Sequence, residues 1–390
     1  PGLALGGEVE PMSRLSQAQQ IQKEQEEQAI VFFERTLAPL KDHRRGQGKR
    51  YPLRTVIVTG LMAMVCGCDD AEAMQLWGEA NAAWLASFLD MPHGPPTQDV
   101  FLMVFGALDP EAFSEVFRAW AALLVLRQEI QGAKHLAVDG KTSRRRFDSG
   151  SGKKAIHTVS AWMSEAGLVL GQRKTGEKSN EITAIPELLK VLDLRGATVT
   201  IDAMGCQTQI AKTIIDGEGN YLIAAKDKQP TLRRDIEKTF VEATDARLRS
   251  CDELARPAVE VFEEHDKGHG RIERRTVRLC RDLSWLTTAE SWSGIAFVAE
   301  LLRETTTLAT AKTTVETAYY IGSDRTASAA SAGSTIRRHW GIESKLHWVL
   351  DVAFREDDAR HRANNTAQNL ATLRHFALNI VRQDKERKVG

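Results

Sequence analysis

His135-Leu136-Ala137-Val138-Asp139-Gly140-Lys141 reads as a short strand that ends on a carboxylate. Its apolar run is brief, and the Asp-Gly pair that closes it turns the chain where the strand stops. The same grammar returns in Ala197-Thr198-Val199-Thr200-Ile201-Asp202-Ala203-Met204-Gly205. Each stretch therefore delivers an aspartate, Asp139 or Asp202, to the end of a buried strand. Each aspartate also has a purely structural reading, Asp139 as half of a turn and Asp202 as the cap of a following helix.

The segments between them fix the fold class. Residues 156–163 and 167–174 read as two strands joined by a hairpin at Ser164-Glu165-Ala166. A helix over 182–192, the strand ending on Asp202, a helix over 207–216 and a strand over 221–225 follow. Three antiparallel strands and then alternating helix and parallel strand is the ribonuclease H-like order. The expected class is α/β, a mixed sheet flanked by helices.

Outward from this core, residues 1–15 read as an upstream segment, Gly-rich over 1–11 with Met12 behind it, and are set aside. Residues 16–131 read as an all-helical N-terminal domain. Apolar residues recur at helical spacing over 17–38 and 53–89, Pro52 starts the second stretch and Pro92 to Pro96 break it. Thr97 then caps a helix through Leu108, and Asp109-Pro110 opens another that reaches Leu126. Residues 132–390 form the expected catalytic domain. Within it, about 228–330 reads as a strand-rich insertion, with strands near 259–263, 272–279, 295–302 and 315–321. Leu370, Leu373, Phe376, Ala377 and Ile380 form a closing helical stripe.

The third acid stands beyond the insertion. In Ile336-Arg337-Arg338-His339-Trp340-Gly341-Ile342-Glu343-Ser344-Lys345-Leu346-His347-Trp348, Glu343 shares a helical face with Ile336, Trp340, His347 and Leu350. A carboxylate within an apolar stripe calls for a partner, either a nearby histidine or lysine or a metal. The spacing of His339, Glu343 and His347 at i, i+4 and i+8 also permits a zinc-type reading, which Gly341 weakens. Two strand-end aspartates and a helical glutamate can converge on divalent ions, and hard oxygen ligands favour Mg2+ or Mn2+.

Composition bounds the partners. With 52 basic and 52 acidic residues the formal net charge is zero, which on its face argues against a nucleic-acid partner. The distribution is uneven. Arg44, Arg45, Lys49 and Arg50 cluster in one block and Lys141, Arg144, Arg145 and Arg146 in another, with further blocks over 271–281 and at the C-terminal tail. Acid gathers over 24–34 and 260–266. Such blocks are commonly solvated faces, but the one directly after Asp139 is placed to meet a phosphate backbone. No apolar run approaches the ~20 residues that span a bilayer, so the expectation is a cytoplasmic protein without a membrane partner. Five scattered cysteines read as reduced thiols.

At the residue level the chain resembles the H-repeat-associated, ISAs-type transposases of bacterial insertion sequences, within the DDE superfamily. The likeness rests on Gly48-Lys49-Arg50-Tyr51-Pro52-Leu53, Val138-Asp139-Gly140-Lys141, residues 177–186, Thr200 to Gln207, Gly268-His269-Gly270-Arg271-Ile272-Glu273, and His339-Trp340-Gly341-Ile342-Glu343 with Leu346 to Asp357 behind it. It implies a DNA transposase that cleaves element ends and joins them to target DNA, with Asp139, Asp202 and Glu343 as catalytic acids. It also implies two Mg2+ or Mn2+ ions per site, double-stranded DNA as partner, a homodimer when two ends are synapsed, and association with the nucleoid when bound to DNA. One departure stands out: the tyrosine, arginine and lysine of a related signature fall here on Ile336, His339 and Leu350. The alternatives are a silent, transposase-derived DNA-binding protein, and a nuclease of the same fold without strand transfer.

Overall fold

The computed structural model describes residues 35–44, 46–128, 134–142, 157–175, 181–244, 258–268, 270–359 and 363–384. The chain divides into two compact units, 1–41 and 42–390. Of the first, only 35–41 are described, and 35–37 are helical. The helix read over 17–38 otherwise lies outside the described residues.

The second unit opens with helices α1 (Leu53–Val65), α2 (Ala71–Ala80), α3 (Ala82–Ala86), α4 (Gln98–Ala107) and α5 (Pro110–Arg127). The stretch 53–89, read as helical throughout, is three helices. Gly67 turns the chain at φ +89, a conformation that glycine adopts at no steric cost, and the Asp70 side chain accepts from the Ala73 amide to start α2. Asp109 caps α5 by accepting from the Glu111 and Ala112 amides, with Pro110 at the first helical position, as the sequence predicts.

Nine strands then make one sheet. They are β1 (Lys134–Thr142), β2 (His157–Met163), β3 (Leu168–Lys174), β4 (Ala197–Ile201), β5 (Asn220–Ala225), β6 (Val259–Gly268), β7 (Arg271–Cys280), β8 (Phe297–Thr307) and β9 (Lys312–Gly322), in the order β3-β2-β1-β4-β5-β9-β8-β7-β6. β1, β2 and β3 are antiparallel, and β4 and β5 run parallel to β1 and β4 in turn. This is the expected ribonuclease H-like core. Helices α6 (Glu181–Leu189) and α7 (Thr208–Asp216) supply the crossovers that parallel strands require.

The strand-rich segment is not a detached lobe. Its last strand, β9, pairs antiparallel with β5, Leu222 opposite Gly322 and Ala225 opposite Tyr319, so the core sheet continues through a four-stranded meander. Helix α8 (Pro230–Thr244) precedes that meander in a stretch read only as strand-rich. Its signal was present: Leu232, Ile236 and Phe240, spaced by four, are buried. The outer halves of β6 to β9 carry charge on both faces. Arg274 bonds Glu263 at 2.7 Å, Arg275 bonds Glu264 at 3.2 Å and Arg278 bonds Glu300 at 2.8 Å. The basic block over 271–281 and the acidic block over 260–266 thus largely answer each other across adjacent strands.

Among the described residues three helices complete the unit, α9 (Ala329–His339), α10 (Trp348–Val352) and α11 (Thr366–Gln383). α9 lies on the junction between core and meander, its Ala329, Ala332 and Ile336 packed with Leu222, Val277, Leu279, Phe297 and Ala299. α11 binds α4 and α5 to the sheet. Asn369 Nδ2 donates to the Phe105 and Leu108 carbonyls at 2.8 and 2.9 Å. At the other end Asn379 both accepts from the Val169 amide and donates to the Val169 carbonyl, each at 2.9 Å. β3 is an edge strand, and Asn379 supplies the pair of bonds that a neighbouring strand would have made.

Candidate active site

Each acid reaches the site on a separate element. β1 carries Asp139, β4 ends one residue before Asp202, and α9 leads into the turn that holds Glu343. Because β1 and β4 are parallel neighbours, with Val138 opposite Ile201, their ends expose the two aspartates side by side. All three acids line one cleft of about 440 Å³, with Thr200, Lys226, Tyr320, Ile336, His339 and Trp340 among its walls. The cap reading of Asp202 also holds: its Oδ1 accepts from the Met204 amide at 2.9 Å. One oxygen can orient the carboxylate in this way while the other faces the cleft.

Glu343 sits differently from the sequence expectation. It is not buried in an apolar stripe, for its side chain is 55% exposed, and Trp340 is 57% exposed beside it. The helix changes phase here. α9 gives way at Trp340, a π-turn spans Glu343–His347, and α10 (Trp348–Val352) resumes the regular winding. Ile336, His347 and Leu350 stay inside, while Trp340 and Glu343 swing into the cleft.

The turn also separates the two histidines. His339 Nδ1 bonds Thr200 Oγ1 at 2.9 Å, and Thr200 Oγ1 bonds His135 Nε2 at 2.8 Å. One hydrogen-bonded chain therefore joins α9, β4 and β1, the three elements that carry or lead into the acids. Burial holds His339 down to about 4 and His135 down to about 3, so both rings are neutral. The zinc-type arrangement of His339, Glu343 and His347 does not form, since His339 turns toward Thr200. His347 instead turns under the acids, its Nδ1 3.6 Å from both Asp139 Oδ2 and Glu343 Oε2. One ligand atom each from Asp139, Glu343 and His347 lie within 4.8 Å of one another.

The electrostatics are those of a site short of positive charge. Burial and the hydrogen-bonded Glu343 carboxyl push Asp139 up to about 8. Burial, followed by the Glu181 carboxylate, raises Asp202, while Lys226 pulls it back. Glu181, which opens α6, bonds His157 at 2.6 Å and lies so close to Gly140 that a Cβ there would meet its Oε1 at 2.3 Å. Lys141 cannot supply the missing charge. Rather than lying along a DNA backbone, it is 11% exposed and paired with Asp351 at 2.5 Å and Glu356 at 2.6 Å. Clustered hard oxygens, with Lys141 already committed to Asp351 and Glu356, are the donor set that fits a divalent cation.

The other predicted basic contacts divide. Arg44 is buried against Asp42 and the Tyr51 carbonyl at 2.8 and 2.7 Å, which removes it from the surface and corrects its expected DNA contact. Lys49 and Arg50 are exposed. Arg45, Arg144, Arg145 and Arg146 lie outside the described residues. Sequence reading missed the bracing role of Thr200 and His135 and the cleft position of Lys226. Thr200 had a legible signal, a hydroxyl in a β-branched strand two residues before Asp202 and so on the same face.

Among the described residues, no helix is long and apolar enough to cross a membrane. The family model described as Transposase DDE domain matches residues 130–380, and the one described as DDE_Tnp_1-associated matches 35–121. The H repeat-associated putative transposase YhhI of Escherichia coli K12 is 34% identical over 353 residues, 90% of each chain. The putative transposase YncI of Escherichia coli O157:H7 is 36% identical over 350 residues, 89% of this chain and 86% of that one. A DDE-domain match over most of the chain, with relatives this similar along nearly all of it, establishes that the chain belongs to the DDE transposase family.

Proposed function

We propose that this chain is a DNA transposase that cuts the ends of an insertion element and joins them to target DNA, with Asp139, Asp202 and Glu343 as its catalytic acids. The observation that carries this reading is that three acids far apart in sequence, on β1, β4 and the turn after α9, line one cleft. Asp139, Asp202 and Glu343 would hold two divalent ions, Mg2+ or Mn2+. Bound there, such ions supply an activated oxygen nucleophile and stabilise the leaving oxygen during in-line displacement at a phosphodiester.

The protein's own groups do the rest. The Thr200 braces fix β1, β4 and α9 relative to one another, so the carboxylates are positioned before substrate arrives. Lys226 and the exposed Lys49 and Arg50 neutralise phosphate charge, as positioning contacts rather than base readers. Trp340 at the mouth offers an apolar wall to duplex DNA. A homodimer would bring two such clefts to two element ends. Arg45, Arg144, Arg145 and Arg146 are proposed as further backbone contacts.

The test uses a duplex ending in the element's terminal repeat. Wild-type protein nicks it in Mg2+ or Mn2+ and joins a precut end with a free 3′-hydroxyl to a target plasmid. Asp139→Ala, Asp202→Ala and Glu343→Ala each lose cleavage by at least ~1000-fold and still retard the duplex on a gel. Nicking by any of the three at the wild-type rate sinks the assignment. Cleavage without joining would identify a nuclease of this fold.

A further inference from the structure

We propose that His347 is a fourth metal-holding residue of this site, its Nδ1 binding the same divalent ion as Asp139 and Glu343. The inference rests on the metal-dependent reading above and names a ligand that the three acids do not include.

His347 is turned inward on the π-turn, and its side chain is only 7% exposed. Nδ1 stands 3.6 Å from one oxygen of Asp139 and 3.6 Å from one of Glu343. That is too long for a hydrogen bond, yet it is a natural spacing for donors that surround an ion at ~2.1 Å each. Among the described residues Nε2 is buried with no hydrogen-bond partner, so no hydrogen bond on the far side of the ring sets its orientation. The carboxylates do. An imidazole buried to this degree and aimed at two acids is a ligand in waiting, whereas His339, one element away, is spoken for by Thr200. The π-turn also has a purpose in this arrangement. It adds a residue to one turn of helix between Glu343 and His347, and such bulges occur frequently at functional sites.

The consequence is asymmetry. One ion would have two carboxylates and an imidazole, the other the carboxylates of Asp139 and Asp202. A nitrogen donor moves the first position toward Mn2+, Co2+ or Zn2+ relative to Mg2+.

Pulsed electron paramagnetic resonance on the full chain loaded with Mn2+ reads this directly, since a coordinated imidazole modulates the echo through its nitrogen nucleus. The wild type is expected to show nitrogen coupling that changes to the 15N pattern when histidine is 15N-labelled, which needs no substitution. His347→Gln should lose the coupling and bind Mn2+ ~10-fold or more weakly, while circular dichroism stays as in the wild type. Mn2+ bound to wild type without directly coordinated nitrogen, or coupling that persists in His347→Gln, overturns the histidine assignment and leaves the acidic site standing. Failure of the wild type to bind Mn2+ at all overturns both.

Discussion

At the residue scale, Asp139 contributes one clear part of how the metal-free protein responds to pH. Its pKa is raised from 3.8 to about 8 by burial and by Glu343. A raised carboxyl pKa means that the folded chain keeps a proton which the unfolded chain releases. The resulting stabilisation is complete below pH ~4 and is lost as pH rises through ~8. In EDTA the wild type should therefore lose melting temperature relative to Asp139→Asn between pH 5 and pH 8.5, whereas the buried, neutral His135 and His339, whose lowered pKa values favour the fold as pH rises toward ~6.5, act alike in both proteins. Asp139→Asn, isosteric and never charged, should melt higher than wild type at pH 8.5. Equal slopes for the two proteins in thermal denaturation would show that Asp139 is not the group responsible. Because metal binds the ionised form, affinity for Mn2+ should rise over the same interval, which isothermal titration calorimetry can follow.

At the element scale, α11 closes an edge that would otherwise be open. Asn379 makes both backbone bonds to Val169 from a fully buried side chain. Asn379→Ala leaves a buried amide and a buried carbonyl unpaired, at about 1–3 kcal/mol each. Urea denaturation should show a loss of ~2–5 kcal/mol, and a loss under 1 kcal/mol would mean that water or a backbone shift replaces the side chain. Helix α9 illustrates the limit of periodicity. A strict 3.6-residue repeat puts Glu343 in the buried stripe, but α9 ends at His339, the chain turns at Trp340, and a π-turn starts at Glu343, so Glu343 lies outside while His347 stays in. Sequence patterning sees an average helix and cannot see one inserted residue's worth of rotation.

At the scale of the whole molecule, the meander and the site are one mechanical unit. Gly322 on β9 lies over the Phe297 ring, and a Cβ there would fall 2.1 Å from Cζ. Phe297 is 2% exposed and belongs to the cluster on which α9 rests. Gly322→Ala should cost ~1–3 kcal/mol through overpacking. It should also slow nicking at temperatures where the variant stays folded, because the displaced ring shifts α9 and, with it, Glu343. Differential scanning calorimetry paired with a cleavage assay checks both, and an unchanged melting temperature would show that the ring has room to move.

The sequence by itself determined the five core strands and their order, because short β-branched runs, hairpin residues and helix starts are local signals. It also singled out the three acids that the fold brings to one cleft, because strand ends and a family's motifs are written in contiguous residues. The helical stretch from 53 to 89 was legible in kind but not in its breaks at Gly67 and Asn81, where one backbone angle decides. Only the tertiary structure decided what depends on partners distant along the chain: that β9 pairs with β5, that Lys141 and Arg44 are consumed by ion pairs, and that the blocks at 260–266 and 271–281 answer one another. Charge in a sequence has a sign but no neighbour. The same reason hid the chain from His135 through Thr200 to His339 and the place of His347 between two acids, for a side chain's chemistry is set by what folding brings within a few ångströms of it.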